Sequence, residues 1–393
     1  MNMKKLVALL LALVMVFALC ACGGDKDNGG KDSATYKVAM ITDYGDITDQ
    51  SFNQTTYEAC KAFAEDNSIE FSYFKPAGDN TADRVAMIEK AVDEGFNVIV
   101  MPGYAFGGAI VEAAPEFPDV KFIALDVAAG DLLETAVAKA GETYDYTPEN
   151  WDLNKYVDMS NVYCAVYQEE LCGYMAGYAA VKLGYKNLGF LGGMSVPAVV
   201  RYGYGFVQGV DAAAKELDKT VELNYVYGNM FSGDPDITAA MDVWYQGGTQ
   251  VVFACGGGIY TSAAEAAAKV GGKLIGVDVD QSGNINTYGE GMCVTSAMKG
   301  LAETVKHMLG EVVAGSFANY GGQVETLGLV SGDDPTANYV QLPMESTQWG
   351  DGFTQDDYKA LVKAMYDGGV TVSNDISAMP ATTITVNFAG NIK

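Results

Sequence analysis

From Tyr36 onward, short apolar runs alternate with longer stretches whose apolar residues recur at helical spacing. The first pair sets the pattern, because YKVAMIT reads as a strand and residues 51–66 place Phe52, Cys60 and Phe63 on one helical face. Further strands are predicted in EFSYFK, NVIVM, VKFIALD, 161–167, NLGFLGG, VELNYVYG, QVVFACGGG, GKLIGVD and 293–297, and further helices over 80–94, 107–116, 168–183, 199–217, 235–247, 261–269 and 299–314. Such alternation is typical of parallel sheets covered by helices on both faces. The strands are too many for one sheet, so the pattern predicts an α/β protein with two doubly wound lobes.

Two segments depart from the alternation. Residues 128–160 are rich in Tyr, Asp and Glu and are long for a plain loop. Two interpretations remain, namely helical decoration and a functional flap. Residues 319–393 contain two strand-like runs, QVETLGLV and NYVQL, and a helix predicted over 355–367. We expect this second segment to pack on the second lobe.

Ligands of doubly wound sheets bind beyond the carboxyl ends of the strands. The residues just after each predicted strand are therefore the candidates for a site. They are Asp43-Tyr44-Gly45, Met101-Pro102-Gly103-Tyr104, Asp126, Gly192-Gly193, Gly228, Gly256-Gly257-Gly258 and Asp278. They fall into one cluster in each half of the chain, which predicts two half-sites that face each other.

The N-terminus has the pattern of an export signal. Lys4 and Lys5 precede an unbroken apolar run from Leu6 to Leu19, which is too short to span a bilayer. The following LCAC resembles a bacterial lipobox, although a cysteine at its middle position is a small departure. That resemblance implies a signal peptide over 1–21 and acylation of the Cys22 thiol, with palmitate among the expected chains; a plain secretory signal is the alternative. Residues 22–35 then read as the lipidated cysteine and a Gly-rich flexible tether.

Charge and cysteine content limit which partners and sites are expected. A formal net charge of −26 argues against nucleic acid and anionic lipid as partners. Beyond the tether the chain has an odd number of cysteines without metal-ligand spacing, and these are Cys60, Cys164, Cys172, Cys255 and Cys293. Cys164 and Cys172 are close enough in sequence to pair, but small buried side chains are the alternative interpretation. The single histidine, His307, sits beside a lysine in a predicted helix and favours a solvated position.

Several motifs together resemble one family. TDYGDITDQSFNQ (42–54), RYGYGFVQGV (201–210), ACGGGIYTSAAEAA (254–267), IGVDVDQ (275–281) and TSAMKG (295–300) occur in the order found in the basic membrane protein lipoproteins, which are substrate-binding components of purine-nucleoside ABC importers. The resemblance implies a type I periplasmic-binding-protein fold, with two Rossmann-like lobes joined by a three-segment hinge. We assign residues 36–167 plus 279–318 to the first lobe and 168–278 plus 319–393 to the second.

The resemblance also implies roles for individual residues. Asp278 is similar to the family's ribose-binding acid and Lys299 to its basic partner. Phe52 and Phe206 are similar to the two aromatic residues that sandwich the base. The remaining positions similar to family ligand contacts are Asp43 and Asn53 at the base, Asp126 in the same lobe, and Gly256 and Gly257 near the sugar. The triple glycine followed by Ile259 and Tyr260 departs from the usual family pattern.

The chemistry of these side chains suits a nucleoside. Two phenyl rings can stack on a purine at about 1–3 kcal/mol per base, and a carboxylate can accept hydrogen bonds from both hydroxyls of a ribose. No phosphate-binding glycine motif is present, which favours nucleosides over nucleotides.

The expectation is a monomeric, non-catalytic capture protein, anchored by lipid on the extracytoplasmic face of the cell membrane. It would need no cofactor or metal and would deliver its ligand to an ABC permease. A sugar-binding or signal-sensing protein of the same fold is the alternative. A nucleoside hydrolase is disfavoured because the aspartates are spread over both halves rather than clustered for catalysis.

Overall fold

The computed structural model describes residues 36–392, and it confirms the predicted α/β architecture of two lobes built on parallel sheets. The strands of the first lobe are β1 (Lys37–Ile41), β2 (Glu70–Phe74), β3 (Val98–Pro102), β4 (Lys121–Leu125), β5 (Val162–Tyr167) and β11 (Gln323–Leu327). Those of the second are β6 (Asn187–Gly192), β7 (Glu222–Tyr227), β8 (Val251–Cys255), β9 (Lys273–Asp278), β10 (Cys293–Lys299), β12 (Val340–Gln341) and β13 (Thr385–Asn391).

Eleven α-helices are assigned within the described residues. They are α1 (Phe52–Asp66), α2 (Thr81–Asp93), α3 (Gly107–Ala113), α4 (Ala129–Lys139), α5 (Glu169–Lys182), α6 (Pro197–Glu216), α7 (Pro235–Gln246), α8 (Tyr260–Ala268), α9 (Ser282–Ile285), α10 (Leu301–Val313) and α11 (Gln355–Tyr366). Several begin at residues suited to a helix start. Asn80 accepts a hydrogen bond from the Asp83 amide ahead of α2, and Asp234 caps α7, whose first residue is a proline.

The two sheets share one topology. The first runs β11-β5-β4-β3-β1-β2 and the second β12-β10-β9-β8-β6-β7-β13, so each strand of the first sheet has a counterpart in the second. All pairs are parallel except β10 with β12. Chain order reverses at β1 in one sheet and at β6 in the other. These are the switch points beyond which doubly wound sheets bind ligands.

The chain crosses between the lobes three times, as predicted for this fold. The crossings lie between β5 and α5, between β10 and α10, and between β11 and β12. They are hydrogen-bonded side by side: the Gln168 amide donates to the Leu327 carbonyl, and the Gly300 amide donates to the Tyr339 carbonyl. The three segments of the hinge therefore lie side by side.

Two of the predicted lobe boundaries are corrected by the strand pairing. Residues 293–299 were assigned to the first lobe, but β10 pairs with β9 in the second sheet, and only α10 returns to pack on α1 of the first lobe. Residues 319–393 were assigned whole to the second lobe, but β11 pairs with β5 in the first sheet. Apolar periodicity identifies a strand without identifying its partner, which explains both errors.

Helices α5 and α6 of the second lobe pack with their backbones in direct contact. A Cβ on Gly173 or Gly177 of α5 would collide with backbone carbonyls of α6, and a Cβ on Gly205 or Gly209 of α6 would collide with those of α5. Four glycines therefore set the close approach of two helices that begin beside the hinge and the cleft. Substituting any of them forces the helices apart.

The irregular segments have defined structures. Residues 128–160 form α4 and two short 3-10 helices, and the Trp151 ring contacts those of Tyr144 and Tyr156, so the segment is helical in part rather than a plain loop. All five cysteines of the described chain are free and buried, and Cys164 and Cys172 do not pair. The predicted signal peptide, Cys22 and the tether lie outside the described residues. Within residues 36–392 no helix is long and apolar enough to cross a membrane.

Candidate functional site

A cavity of about 630 Å³ lies where the carboxyl ends of the two sheets face each other. Both lobes contribute to its wall, and among the residues lining it are eight of the nine predicted ligand contacts. These eight are Asp43, Phe52, Asn53, Asp126, Gly256, Gly257, Asp278 and Lys299. Its size is within the range of small-molecule sites.

The first wall is the turn that joins β1 to α1. Oδ1 of Asp43 accepts hydrogen bonds from the amides of Tyr44 and Gly45 (2.6 and 2.8 Å). Asp49 takes the role of a helix cap, because its carboxylate accepts from the backbone amides of Ser51, Asn53 and Gln54. Aspartates therefore hold this turn in shape. Burial raises the pKa of Asp43, while these amide hydrogen bonds act in the opposite direction.

Two aspartates occupy equivalent positions in the two lobes. Asp126 follows β4 and Asp278 ends β9, and their backbones have left-handed φ values of 59° and 65°. Non-glycine residues rarely adopt this conformation, and it concentrates at functional sites. Each carboxylate is thereby turned from the end of its strand into the gap between the lobes.

Lys299 connects these aspartates. Its ammonium is hydrogen-bonded to Asp126 and lies 3.6 Å from Asp278 and 3.7 Å from Glu169. The residue is 5 % exposed and ends β10 at the second crossing. Burial alone would lower the pKa of Lys299, but the three carboxylates raise it above its ordinary value. The ammonium is therefore charged at neutral pH, and it links an aspartate of the first lobe to two acids of the second.

Asp278 is held from both lobes as well. Its Oδ2 accepts a hydrogen bond from the Ser51 hydroxyl of the first lobe at 2.6 Å. Burial raises the pKa of Asp278, and Lys299 and Ser51 oppose that rise. Contacts from both lobes therefore fix the orientation of this carboxylate.

Glu169 and Arg201 complete the charged cluster and were not predicted from the sequence. Glu169 is fully buried at the first residue of α5, and Oε2 accepts from Arg201 Nε at 2.6 Å. Burial raises the pKa of Glu169, opposed by the charges of Arg201 and Lys299. Arg201 itself lines the cavity. An acid in a first helical turn is common, so the sequence offered no signal that this one was buried.

Matching glycines bring the backbone to the cavity in both lobes. Gly103 follows β3 with φ 122° and Gly256 follows β8 with φ 143°, both conformations that favour glycine. A Cβ at Gly103 would lie 2.8 Å from Asp43 Oδ2, and one at Gly256 would lie 2.7 Å from the Phe231 ring. Neither position has room for a side chain beside the cavity wall.

The aromatic residues require one correction. Phe52 lines the cavity, with the Lys299 ammonium 4.7 Å from its ring centroid. Phe206 does not line it: the residue is 0 % exposed in the interior of α6 and packs on Phe253 at 5.3 Å between centroids. The predicted stacking role of Phe206 is therefore wrong. Its position on the apolar face of α6 is that of a core residue.

Phe231 is the phenylalanine that the second lobe contributes to the cavity. It lies four residues beyond the end of β7 and is half-buried against Gly193 and Gly256. The strand-end rule selects Gly228 after the same strand, three residues before Phe231, and therefore does not identify this phenylalanine.

The chain is similar to known proteins in both sequence and fold. Residues 36–333 match the profile of the Bmp family, described as PnrA-like ABC transporter substrate-binding proteins. The chain is 27% identical to an ABC transporter nucleoside-binding protein, BmpA, of Lactococcus lactis subsp. cremoris, over 94% of this chain and 99% of that protein. It is 26% identical to basic membrane protein B of Borreliella burgdorferi, over 81% and 86% of the two chains.

Among solved structures, the fold resembles an ABC transporter solute-binding protein from Conexibacter woesei. The TM-score is 0.63 at 22% identity, over 86% of this chain and 99% of that one. A solute-binding protein of Aeropyrum pernix gives a TM-score of 0.62 at 20% identity, over 87% and 88%. At these identities the likeness establishes the shared fold.

Proposed function

The chain belongs to the family of PnrA-like substrate-binding proteins of ABC transporters, and from this premise we propose that it captures a purine nucleoside between its lobes. The observation that carries the proposal is the composition of the cavity: a phenylalanine from each lobe and a buried carboxylate–lysine cluster. Flat apolar surfaces suit a heterocycle and charged acceptors suit hydroxyls. A nucleoside has both parts covalently joined.

The base lies between Phe52 and Phe231 in this proposal. The Lys299 ammonium lies over the Phe52 ring at 4.7 Å from its centroid, and the ring borders the cavity, where it can stack on a base. Stacking on aromatic side chains is worth about 1–3 kcal/mol per base. Because the two rings come from different lobes, a base between them favours the closed state.

The ribose lies at Asp278 in this proposal. A carboxylate that already accepts from Ser51 and is neutralised by Lys299 still has lone pairs for two vicinal hydroxyls. Such charge-assisted hydrogen bonds are stronger than neutral ones. Oδ1 of Asp126 is buried without a hydrogen-bond partner among the described residues, which supports a further ligand contact there.

The closed form would dock on an ABC permease, and the acylated Cys22 would hold the chain on the extracytoplasmic face of the membrane. The lipobox-like sequence supports this anchoring. In this role the protein binds and releases its ligand unchanged, and catalytic residues are not required.

Titration calorimetry tests the proposal. The chain is titrated with adenosine, guanosine, inosine, ribose and glucose, and we expect at least one purine nucleoside to bind with a dissociation constant of about 1 µM or below. The Asp278→Ala variant should lose this binding. Heat from a sugar without heat from any nucleoside would overturn the nucleoside assignment.

A further inference from the structure

A hydrogen bond between Gln281 and Gln50 joins the lobes outside the ligand cavity. Nε2 of Gln281, which directly precedes α9 in the second lobe, donates to the Gln50 carbonyl at 3.2 Å. Gln50 lies 231 residues earlier in the chain, in the turn before α1 of the first lobe. Neither residue belongs to the described residues that line the cavity. The bond therefore connects the lobes beside the ligand site rather than within it.

The second lobe holds the Gln281 side chain in one orientation. Its Oε1 accepts from the Val277 amide at 2.9 Å, and its backbone amide donates to Ser296 Oγ at 3.1 Å. Gly276 leaves space for the side chain, because a Cβ there would lie 2.9 Å from both Cβ and Oε1 of Gln281. The residue is fully buried. Since the oxygen is bound within the second lobe, the amide nitrogen is the group that reaches the first lobe.

The first lobe presents the Gln50 carbonyl through an unusual backbone conformation. Gln50 has a φ of 57°, in the left-handed region that residues other than glycine rarely adopt. Such conformations persist where surrounding contacts hold them, and they concentrate at functional sites. The Gln50 amide donates to Gln54 Oε1 at 3.1 Å, and its carbonyl accepts from Gln281. Contacts on both sides of this peptide therefore hold the conformation that aims its carbonyl at the second lobe.

Separation of the lobes would break this hydrogen bond. Gln50 lies two residues before Phe52, which lines the cavity, so one short segment carries both a contact between lobes and a contact with the ligand site. A bond that forms only when the lobes meet adds to the free energy of closure. The apparent affinity of a ligand that binds the closed state scales with the population of that state. The bond can therefore affect affinity without any contact with the ligand.

We propose that Gln281 is a positioning residue for ligand capture, which stabilises the closed state through Gln50; this inference rests on the proposed function. Loss of the bond lowers the population of the closed state and weakens every ligand of the cleft by the same factor. One net hydrogen bond corresponds to about 2- to 10-fold in affinity. Because the ligand leaves when the lobes separate, the change lies mainly in the dissociation rate.

Two substitutions remove the donor that crosses between the lobes. Gln281→Glu keeps an oxygen for the Val277 amide but places a second oxygen against the Gln50 carbonyl. Gln281→Met has a side chain of similar length and adds no charge beside Asp278. The two variants therefore separate loss of the donor from addition of a charge. Gln281→Glu, which retains the hydrogen bond to Val277, also covers the case in which the methionine variant does not fold.

Titration calorimetry with guanosine, inosine and adenosine measures the effect. Both variants should bind each nucleoside about 2- to 10-fold more weakly, by the same factor for each, and radiolabelled nucleoside should leave them faster in a chase experiment. Gln355→Glu is the matched control, because its Nε2 also donates to a backbone carbonyl, that of Met344 at 3.0 Å, but at an exposed position within one lobe. It should leave affinity and release unchanged. Thermal melting of each variant checks the fold.

The outcomes separate this inference from the proposed function. Equal weakening for every nucleoside, with faster release, supports the inference. Full affinity in the Gln281 variants, a loss in Gln281→Glu without a loss in folded Gln281→Met, or losses that differ between nucleosides overturn it and leave nucleoside capture standing.

A measurement without ligand covers the remaining case. If no nucleoside binds the unmodified chain, the proposed function fails, and small-angle X-ray scattering of the free proteins decides the role of Gln281. A larger radius of gyration for Gln281→Met than for the unmodified chain and Gln355→Glu supports stabilisation of the closed state. An equal radius for all three overturns it.

Discussion

Replacing Lys299 with methionine tests whether the charged cluster holds the lobes together. The substitution keeps an unbranched side chain of similar length but removes the ammonium from among Asp126, Asp278 and Glu169. Three carboxylates would then share a largely buried space in which Arg201 is the remaining cation of the cluster.

The expected loss can be estimated from the geometry. At separations of 3.6 and 3.7 Å, each ion pair is worth about 4–5 kcal/mol at an effective dielectric constant of about 20. Desolvation offsets much of this attraction, and removing one partner of a buried pair costs about 3–5 kcal/mol net. We therefore expect the free energy of unfolding to fall by about 3–5 kcal/mol near neutral pH.

The loss of stability in Lys299→Met should depend on pH. Burial already raises the pKa of Asp278 and Glu169, and loss of the Lys299 charge raises both further. An acid whose pKa is higher in the folded state binds more protons there than in the unfolded chain. The free energy of unfolding therefore increases as the pH falls from the folded-state pKa to the unfolded-state pKa. The deficit of Lys299→Met should thus be smaller near about pH 5 than near about pH 7.5.

Urea denaturation at both pH values, followed by circular dichroism, measures the deficit against the unmodified chain. Lys269→Met is the control, because its ion pair with Asp242 is solvent-exposed and should contribute less than about 1 kcal/mol. A deficit for Lys299→Met as small as that of the control, or one unchanged between the two pH values, would refute the reasoning.

Further substitutions separate binding from folding. Phe52→Ala and Phe231→Ala should each weaken nucleoside binding by about 1–3 kcal/mol in calorimetry, and retention of full affinity by both would contradict the stacking role. Phe206→Ala should instead lower the free energy of unfolding by about 3–5 kcal/mol with little change in the affinity of the folded protein, because the side chain is core. Gly177→Ala should destabilise the α5–α6 contact by about 1–3 kcal/mol in urea denaturation, whereas Gly310→Ala, a helical position with open space around it, should be neutral or stabilising.

The sequence predicted those parts of the site that follow from sheet geometry. Asp43, Gly256 and Asp278 each lie at the end of a buried parallel strand or within two residues of it, so the strand-end rule alone places them at the cleft. Asp126 obeys the same rule. The symmetry of the two lobes explains why the rule works equally well in each.

The remaining features depend on tertiary packing. Phe206 and Phe52 are both apolar positions of helices, but one helix turns that position towards the core and the other towards the cleft. Phe231 lies in a loop without periodicity. The burial of Glu169 arises because α5 starts at the hinge, beside residues distant in the chain. Periodicity reports which face of an element is apolar but not which neighbour that face meets.

A crystal structure of the chain grown with a purine nucleoside tests the central claim most directly. The account predicts difference density for the base between Phe52 and Phe231, and for the ribose hydroxyls within hydrogen-bond distance of Asp278. Density for the nucleoside outside the gap between the lobes, or a cleft that stays empty at saturating nucleoside, would contradict it.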